Sequence, residues 1–164
     1  MKSKEKILVH KGIDRVKREQ FDDALEFFER VLEMNPENAD ALNNKGVALY
    51  HMNRPTEALE CYDLALSTDP DNPEALRNKG FVLRSMQRFE EALETYDLLI
   101  AASPNTTDLR NKAAILVGMG RPEEALGILM EVAMVEPSVR IEREIEMLRK
   151  MLLDLAMRAE DPPR

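Results

Sequence analysis

Few side chains in this 164-residue chain are suited to covalent or metal chemistry. The two histidines, His10 and His51, are the one place where a proton-transfer reading could start, since imidazole titrates near neutral pH. Neither a nucleophile nor a metal-ligand pattern accompanies them. Cys-x-x-Cys and His-Glu-x-x-His spacings are both absent, so zinc is not expected. Cys61 is the only cysteine, which rules out a disulfide framework and fits a reducing, cytoplasmic compartment. Set in a helical stretch, it reads as an inert buried thiol. The acidic run DPDN (69–72) lacks the spacing of a calcium loop and reads as a turn. NKG at 44–46 and 78–80 lacks the glycine run and following hydroxyl of a phosphate loop. The acid pairs Glu90–Glu91 and Glu123–Glu124 sit at helix starts, where the dipole favours negative charge. No catalytic residue, metal site or cofactor is therefore expected.

Composition narrows the partners. Lys plus Arg number 23 against 31 Asp plus Glu, a net charge of −8. An acidic balance disfavours nucleic acid, whose phosphates need a basic surface. No apolar run is long enough to span a bilayer, and Ile7–Val9 is too short for the core of a signal peptide. Neither nucleic acid nor membrane is expected as a partner. Tryptophan is absent and glycines number only 6, as in a helical protein with short connections.

Those helices repeat. Gly12, Gly46 and Gly80 recur at a constant step, as do Ala24, Ala58 and Ala92, then Phe28, Tyr62 and Tyr96, then Pro36, Pro70 and Pro104. A fourth copy carries Ala113, Ala125, Leu129 and Pro137, with one residue lost from the loop before LRNKA (109–113). Within a copy the apolar spacing is helical: Leu76, Gly80 and Leu83 share one face, and Phe89, Ala92, Leu93, Tyr96 and Leu99 another. Pro55 and Pro122 suit the first turn of a second helix. Asn72, Pro73 and Glu74 read as a helix start. The four late prolines mark where second helices stop. Eight helices of about 14 residues, about 21 Å each, are predicted. Gly46 and Ala58 are expected to let paired helices approach closely, leaving Tyr62 and Leu66 to reach the next repeat.

This pattern resembles the tetratricopeptide repeat family. The resemblance covers residues 5–139, with repeats over 5–38, 39–72, 73–105 and 106–139. It implies an all-α, right-handed α-solenoid of four helix-turn-helix repeats. Residues 1–4 are expected to be disordered, 140–159 to form a C-terminal capping helix, and 160–164 to be a tail. Two family aromatics are missing: Leu8, Leu42, Leu76 and Leu109 replace one set, and Arg15 stands in place of another. Lys11, Lys45, Lys79 and Lys112 occupy an often apolar place, read as stems along the core edge with ammonium groups in water.

The resemblance further implies a noncatalytic protein–protein scaffold or adaptor. In the family, first helices line a concave groove that holds a peptide or partner helix. Carried onto this chain, the groove includes Val9, Ile13, Asn43, Asn44, Val47, Tyr50, His51, Arg77, Asn78, Phe81, Arg84, Arg110 and Asn111. His10 and His51 would come near each other there. Of the charged groove positions, Lys6, Lys17, Arg77, Arg84 and Arg110 are basic, while Asp40 and Glu74 are acidic, a surplus of +3 in a chain of −8. An acidic or carboxylate-bearing partner segment is expected, with Arg77 and Arg110 gripping carboxylates and Val47, Tyr50 and Phe81 forming an apolar pocket. Asn44, Asn78 and Asn111 would hold a peptide backbone. Some family co-chaperones clamp a chaperone's terminal carboxylate. At their clamp places this chain has Val9, Ile13, Asn44, Glu74 and Asn78, and only the middle asparagine matches.

Beyond Pro137, Ile141, Ile145, Leu148, Leu152 and Leu155 form a stripe widened by Met147 and Met151. Solenoids need such a helix to cover their last repeat. The alternative function is self-assembly, with residues 141–157, or the groove, joining chains into a homo-oligomer.

Overall fold

A computed structural model describes residues 2–160. Among the described residues lie nine helices and no strand: α1 (Lys2–Lys17), α2 (Phe21–Met34), α3 (Ala39–His51), α4 (Pro55–Thr68), α5 (Pro73–Ser85), α6 (Phe89–Ala102), α7 (Thr106–Gly118), α8 (Pro122–Val135) and α9 (Val139–Glu160). They fall into two compact units divided between Ala102 and Ser103. In the first, α1 pairs with α2, α3 with α4 and α5 with α6, and α2 meets α3 as α4 meets α5. In the second, α7 pairs with α8, and α8 with α9. The all-α array of antiparallel helix pairs predicted from sequence is the architecture observed. Helix α1 begins at Lys2, ahead of the start expected at Glu5. The tail expected over 160–164 lies, from Asp161 onward, outside the described residues.

Each element boundary has a local cause. Helices α3, α5 and α7 each start on an asparagine cap: Asn38 Oδ1 accepts from the Ala41 amide at 2.9 Å, Asn72 Oδ1 from Ala75 at 3.0 Å, and Asn105 Oδ1 from Asp108 at 2.8 Å. These caps satisfy amides that a helix start leaves without partners. Asn72 also donates to Asp69 at 3.1 Å, so DPDN is a turn built by its own side chains. First helices stop on a left-handed residue, at Glu19, Asn53, Gln87 and Gly120, with φ of 59°, 60°, 59° and 72°. The next amide then reaches back across the turn, as Arg54 N–H does to the Leu49 carbonyl at 3.0 Å and Arg88 N–H to Leu83 at 2.9 Å.

The same arginines also hold the following helix. Arg54 grips Glu57 at 2.6 and 2.7 Å, Arg88 grips Glu91 at 2.6 Å, and Arg121 grips Glu124 at 2.5 and 2.7 Å. In the first repeat these two places hold Gln20 and Asp23. There Arg15 supplies the missing cation, donating to Gln20 at 2.8 Å and lying 3.5 Å from Asp23. Its departure from the family's aromatic thus has a structural use.

Packing within a pair is set by glycine against an aromatic ring. A Cβ on Gly46 would lie 2.6 Å from the Tyr62 ring, and one on Gly80 would lie 2.8 Å from Tyr96. Gly12 faces Phe28 in the same way. Tyr62 therefore lies over Gly46 of its own repeat, which corrects the expectation that it reaches the next one. Leu66 does pack against the cluster that includes Ala75 of the next repeat. In the fourth repeat the small residue is Ala113 and the aromatic is replaced by Leu129, both buried.

Gly46→Ala is expected to destabilise by about 2 kcal/mol through overpacking, and Tyr62→Leu by about 3 kcal/mol through an unfilled site. The double variant, which copies the Ala113–Leu129 pair, should lose at least about 1 kcal/mol less than the sum. Denaturant unfolding of the four proteins checks this, and strict additivity would break the argument.

Candidate functional site

The residues assigned to a groove divide between the two units. Val9, Ile13, Asn43, Asn44, Val47, Tyr50, His51, Arg77, Asn78, Phe81 and Arg84 belong to the first, on α1, α3 and α5, which touch one another side by side. Arg110 and Asn111 belong to α7 of the second.

In the first unit the face is graded. At the amino ends of the first helices, Glu5, Glu37, Asp40, Asp69 and Glu74 line a cleft of about 760 Å³, with Lys6 among them. The cationic surplus expected over the whole groove is therefore wrong at this end. First-helix positions alone omit the turn residues Glu37 and Asp69, and those turns are acidic. Glu5 is buried here and accepts from the side-chain amides of Asn35 and Asn38, each at 3.2 Å.

At the opposite ends of the helices the surface carries aromatic rings and Arg84, beside a cleft lined by Glu19, Phe21, Asp22, Asp23 and Met52. Tyr50 on α3 meets Phe81 on α5 edge to face, with centroids 5.5 Å apart. The Arg84 guanidinium lies 5.6 Å from the Phe81 ring centre, one turn along α5. His51 stacks on Phe21 at 5.2 Å and meets Tyr50 edge-on at 5.9 Å. A cleft of about 420 Å³ opens here among Tyr50, His51, Asn53, Pro55, Ser85 and Met86. Phe21 starts a second helix, so a survey confined to first helices missed it. An aromatic at the place that Pro55 and Pro122 hold in other repeats is the signal that could have found it.

The predicted site residues play different parts. Tyr50 and Phe81 are brought together as expected, with Phe81 43% exposed. Val47 and Ile13 are half-buried. Val9 is a core residue, clustered with Leu8, Val31 and Ala41. Asn43 is buried and accepts from Asn78 at 3.0 Å, a bond that ties α3 to α5. Asn44 donates to the Asp40 carbonyl of its own helix at 2.8 Å. Two of the asparagines expected to grip a peptide thus direct amide protons at the protein itself. His10 and His51 line different clefts and are not brought together. Among the described residues no group of three His, Cys, Asp or Glu side chains could hold a metal. Burial pushes the Cys61 thiol up from its ordinary value.

Arg110 is already engaged. It donates to Glu144 of α9 through Nε at 3.3 Å and Nη2 at 2.5 Å, and Arg140 reaches the same carboxylate at 3.3 Å. The carboxylate that sequence reasoning assigned to Arg110 comes from the chain's own C-terminal helix, because α9 folds back onto its unit. The lysines differ from expectation in a similar way: Lys45 pairs with Glu29 at 3.2 Å and Lys79 with Asp63 at 2.6 Å, each acid on the preceding repeat.

The profile of the tetratricopeptide repeat family matches residues 10–73 and 52–106. No curated protein matches the sequence. Among solved structures, MamA (residues 41 to the end) from Desulfovibrio magneticus RS-1 superposes with a TM-score of 0.81 at 18% identity, covering 96% of this chain and 90% of that one. PilF of Pseudomonas aeruginosa gives 0.82 at 21% identity, over 93% of this chain and 71% of that one. The first tetratricopeptide domain of Spaghetti (RPAP3), solved with the HSP90 peptide SRMEEVD, gives 0.69 at 20% identity, over 72% and 97%. At these identities the likeness is one of fold. No described helix is long and apolar enough to cross a membrane.

The Arg110 hydrogen bonds hold the Glu144 carboxyl below its ordinary value of 4.5, against the opposing effect of burial and with help from Arg140. A lowered folded value means that the pair contributes stability above the ordinary carboxylate range and loses it as pH falls through the folded value. Partial exposure keeps that contribution near 1 kcal/mol. Glu144→Gln should therefore lower the melting temperature at neutral pH, and the gap to wild type should close below about pH 4. Melts followed by circular dichroism across that range check it. A gap independent of pH would contradict it.

Proposed function

The chain belongs to the tetratricopeptide repeat family, whose members are protein–protein interaction modules, and from that premise we propose that it is a noncatalytic adaptor. It binds one extended or helical partner segment on the α1/α3/α5 face of its first unit. The observation that carries this reading is the aromatic and cationic end of that face, where Tyr50 and Phe81 bridge two helices and Arg84 covers Phe81. Aromatic rings and arginine are the side chains that most often anchor an interface. They contribute apolar area at small entropic cost and can face a carboxylate at the same time.

The segment this end favours carries a bulky apolar side chain next to an acidic one. The apolar group enters the cleft beside Tyr50 and Met86, and the carboxylate lies towards Arg84. At the other end, Asp40 and Glu74 repel further acids, so the acidic character is confined to one part of the segment. The Spaghetti domain's peptide is not carried over, because the clamp places here hold Val9, Ile13, Asn44, Glu74 and Asn78. Partner selection, rather than chemistry on a substrate, is then the activity, and bringing partners together is its consequence.

Selection of random displayed peptides on the immobilised chain tests this. Wild type should enrich Asp or Glu beside aromatic or branched apolar residues. Phe81→Ala/Arg84→Glu, with folding verified by circular dichroism, should bind the enriched peptides at least about tenfold more weakly, or about 1.4 kcal/mol. Unchanged binding by the variant, or enrichment of basic peptides alone, would sink the reading.

A further inference from the structure

The apolar stripe of α9 does two different things along its length. Ile141, Ile145 and Leu148 are buried and belong to the face turned towards α8. The helix runs on for three further turns, since its 22 residues span about 33 Å. There Leu153 and Met157 stand 62% and 61% exposed, and at the other end Val139 is 62% exposed. These three do not continue the buried stripe. They share a second face, about a third of the way round the helix, with Glu142, Glu146, Arg149 and Lys150. All four of these charged residues are exposed. Among the described residues none of these four side chains makes a hydrogen bond or ion pair, although the side chains of Arg140 and Glu144 on the neighbouring face do.

The order along this second face is apolar, acidic, basic, apolar. Such a sequence is complementary to itself only when reversed. Two copies laid antiparallel, centred near Leu148, bring Val139 of each helix against Met157 of the other. Glu146 then falls opposite Lys150 and beside Arg149, and this happens twice by symmetry. Met134 and Val135, at the end of α8, are likewise exposed. A parallel arrangement would instead set Glu146 on Glu146 and Lys150 on Lys150. An isologous contact of this kind closes on itself and stops at two chains.

We propose that the exposed α9 face formed by Val139, Glu142, Glu146, Arg149, Lys150, Leu153 and Met157 is the contact surface for a second copy of this chain, paired antiparallel. The proposal moves the self-assembly seam away from Ile141, Ile145 and Leu148, which already cover the chain's own α8. A single helix pair is a small interface, so the dimer forms at micromolar rather than nanomolar concentration.

Sedimentation equilibrium of the full chain, across concentrations from about 1 to 200 µM, tests this. Wild type should shift from monomer to dimer within that range. Glu146→Lys and Lys150→Glu should each weaken the dimer about tenfold, since each sets like charges opposite one another. The double variant Glu146→Lys/Lys150→Glu restores opposite charges and should return to within about twofold of wild type. Circular dichroism confirms that α9 stays folded, as expected for exposed positions. A chain that remains monomeric throughout overturns the proposal. So does a dimer indifferent to the single swaps, or a double variant as weak as the singles.

Discussion

The close approach of each first helix to its second is the contact on which the repeats depend. At Gly12, Gly46 and Gly80 the partner ring occupies the space a methyl group would need. Glycine in a helix interior costs about 1 kcal/mol relative to alanine, so its use needs an offsetting gain. The gain is a ring of Phe28, Tyr62 or Tyr96 buried almost completely against the backbone. Burial of one such side chain contributes roughly 2–3 kcal/mol, which exceeds the propensity cost. The fourth repeat reaches a buried contact by another route: Ala113 restores helix propensity, and the smaller Leu129 makes room for it. Small-plus-large and medium-plus-medium are two ways of filling one volume, and the paired exchange marks volume, not aromaticity, as the constraint.

Once pairs are set, polar ties fix one repeat on the next. Asn78 donates to Asn43 across α5 and α3, and Glu5 receives two amides from the turn between α2 and α3. Both acceptors are buried, so breaking either bond would leave an uncompensated polar group. The lysine bridges Lys45–Glu29 and Lys79–Asp63 lie nearer solvent and are worth little individually. Their effect is on composition: acids held by neighbouring cations can be tolerated in number. The arginine–glutamate pairs at second-helix starts act alike. An excess of acid over base is thereby distributed over ion pairs and helix starts without demanding an acidic function.

How far the sequence foretold the structure depends on whether the cause was local or tertiary. The proline stops, the Asn72 cap and the alternation of helices were legible, because each rests on residues within one turn of each other. The left-handed residues were legible only in part, since Gly120 and Asn53 are of types that favour this region while Glu19 and Gln87 are not. The closing hydrogen bonds and the pairs below them hold the latter two in place. Among site residues, Tyr50 and Phe81 were legible because each sits one helical face away from its core neighbours. The parts of Asn43, Asn78 and Val9 were not, because whether a side chain faces ligand or core depends on how far the next helix overlaps it. Arg110 shows the same limit: nothing in its own repeat announces that a residue 34 positions later will hold it.

The consequence for function is a separation of tasks. The first unit carries an aromatic end with Arg84 on it, and the second unit carries a helix that both covers its own repeat and leaves a second face exposed. A helix needed only as a cover would carry polar residues on its outer face throughout, since exposed leucine and methionine there add nothing to the cover and raise the risk of nonspecific contact. Leu153 and Met157 break that rule, and the charges between them and Val139 change sign once along the helix. A purely apolar patch would bind without orientation. A patch with a single reversal of charge distinguishes one direction from the other, since only the antiparallel order pairs unlike charges. Specificity of that kind rests on the order of charge along the face, acidic at Glu146 and basic at Arg149 and Lys150.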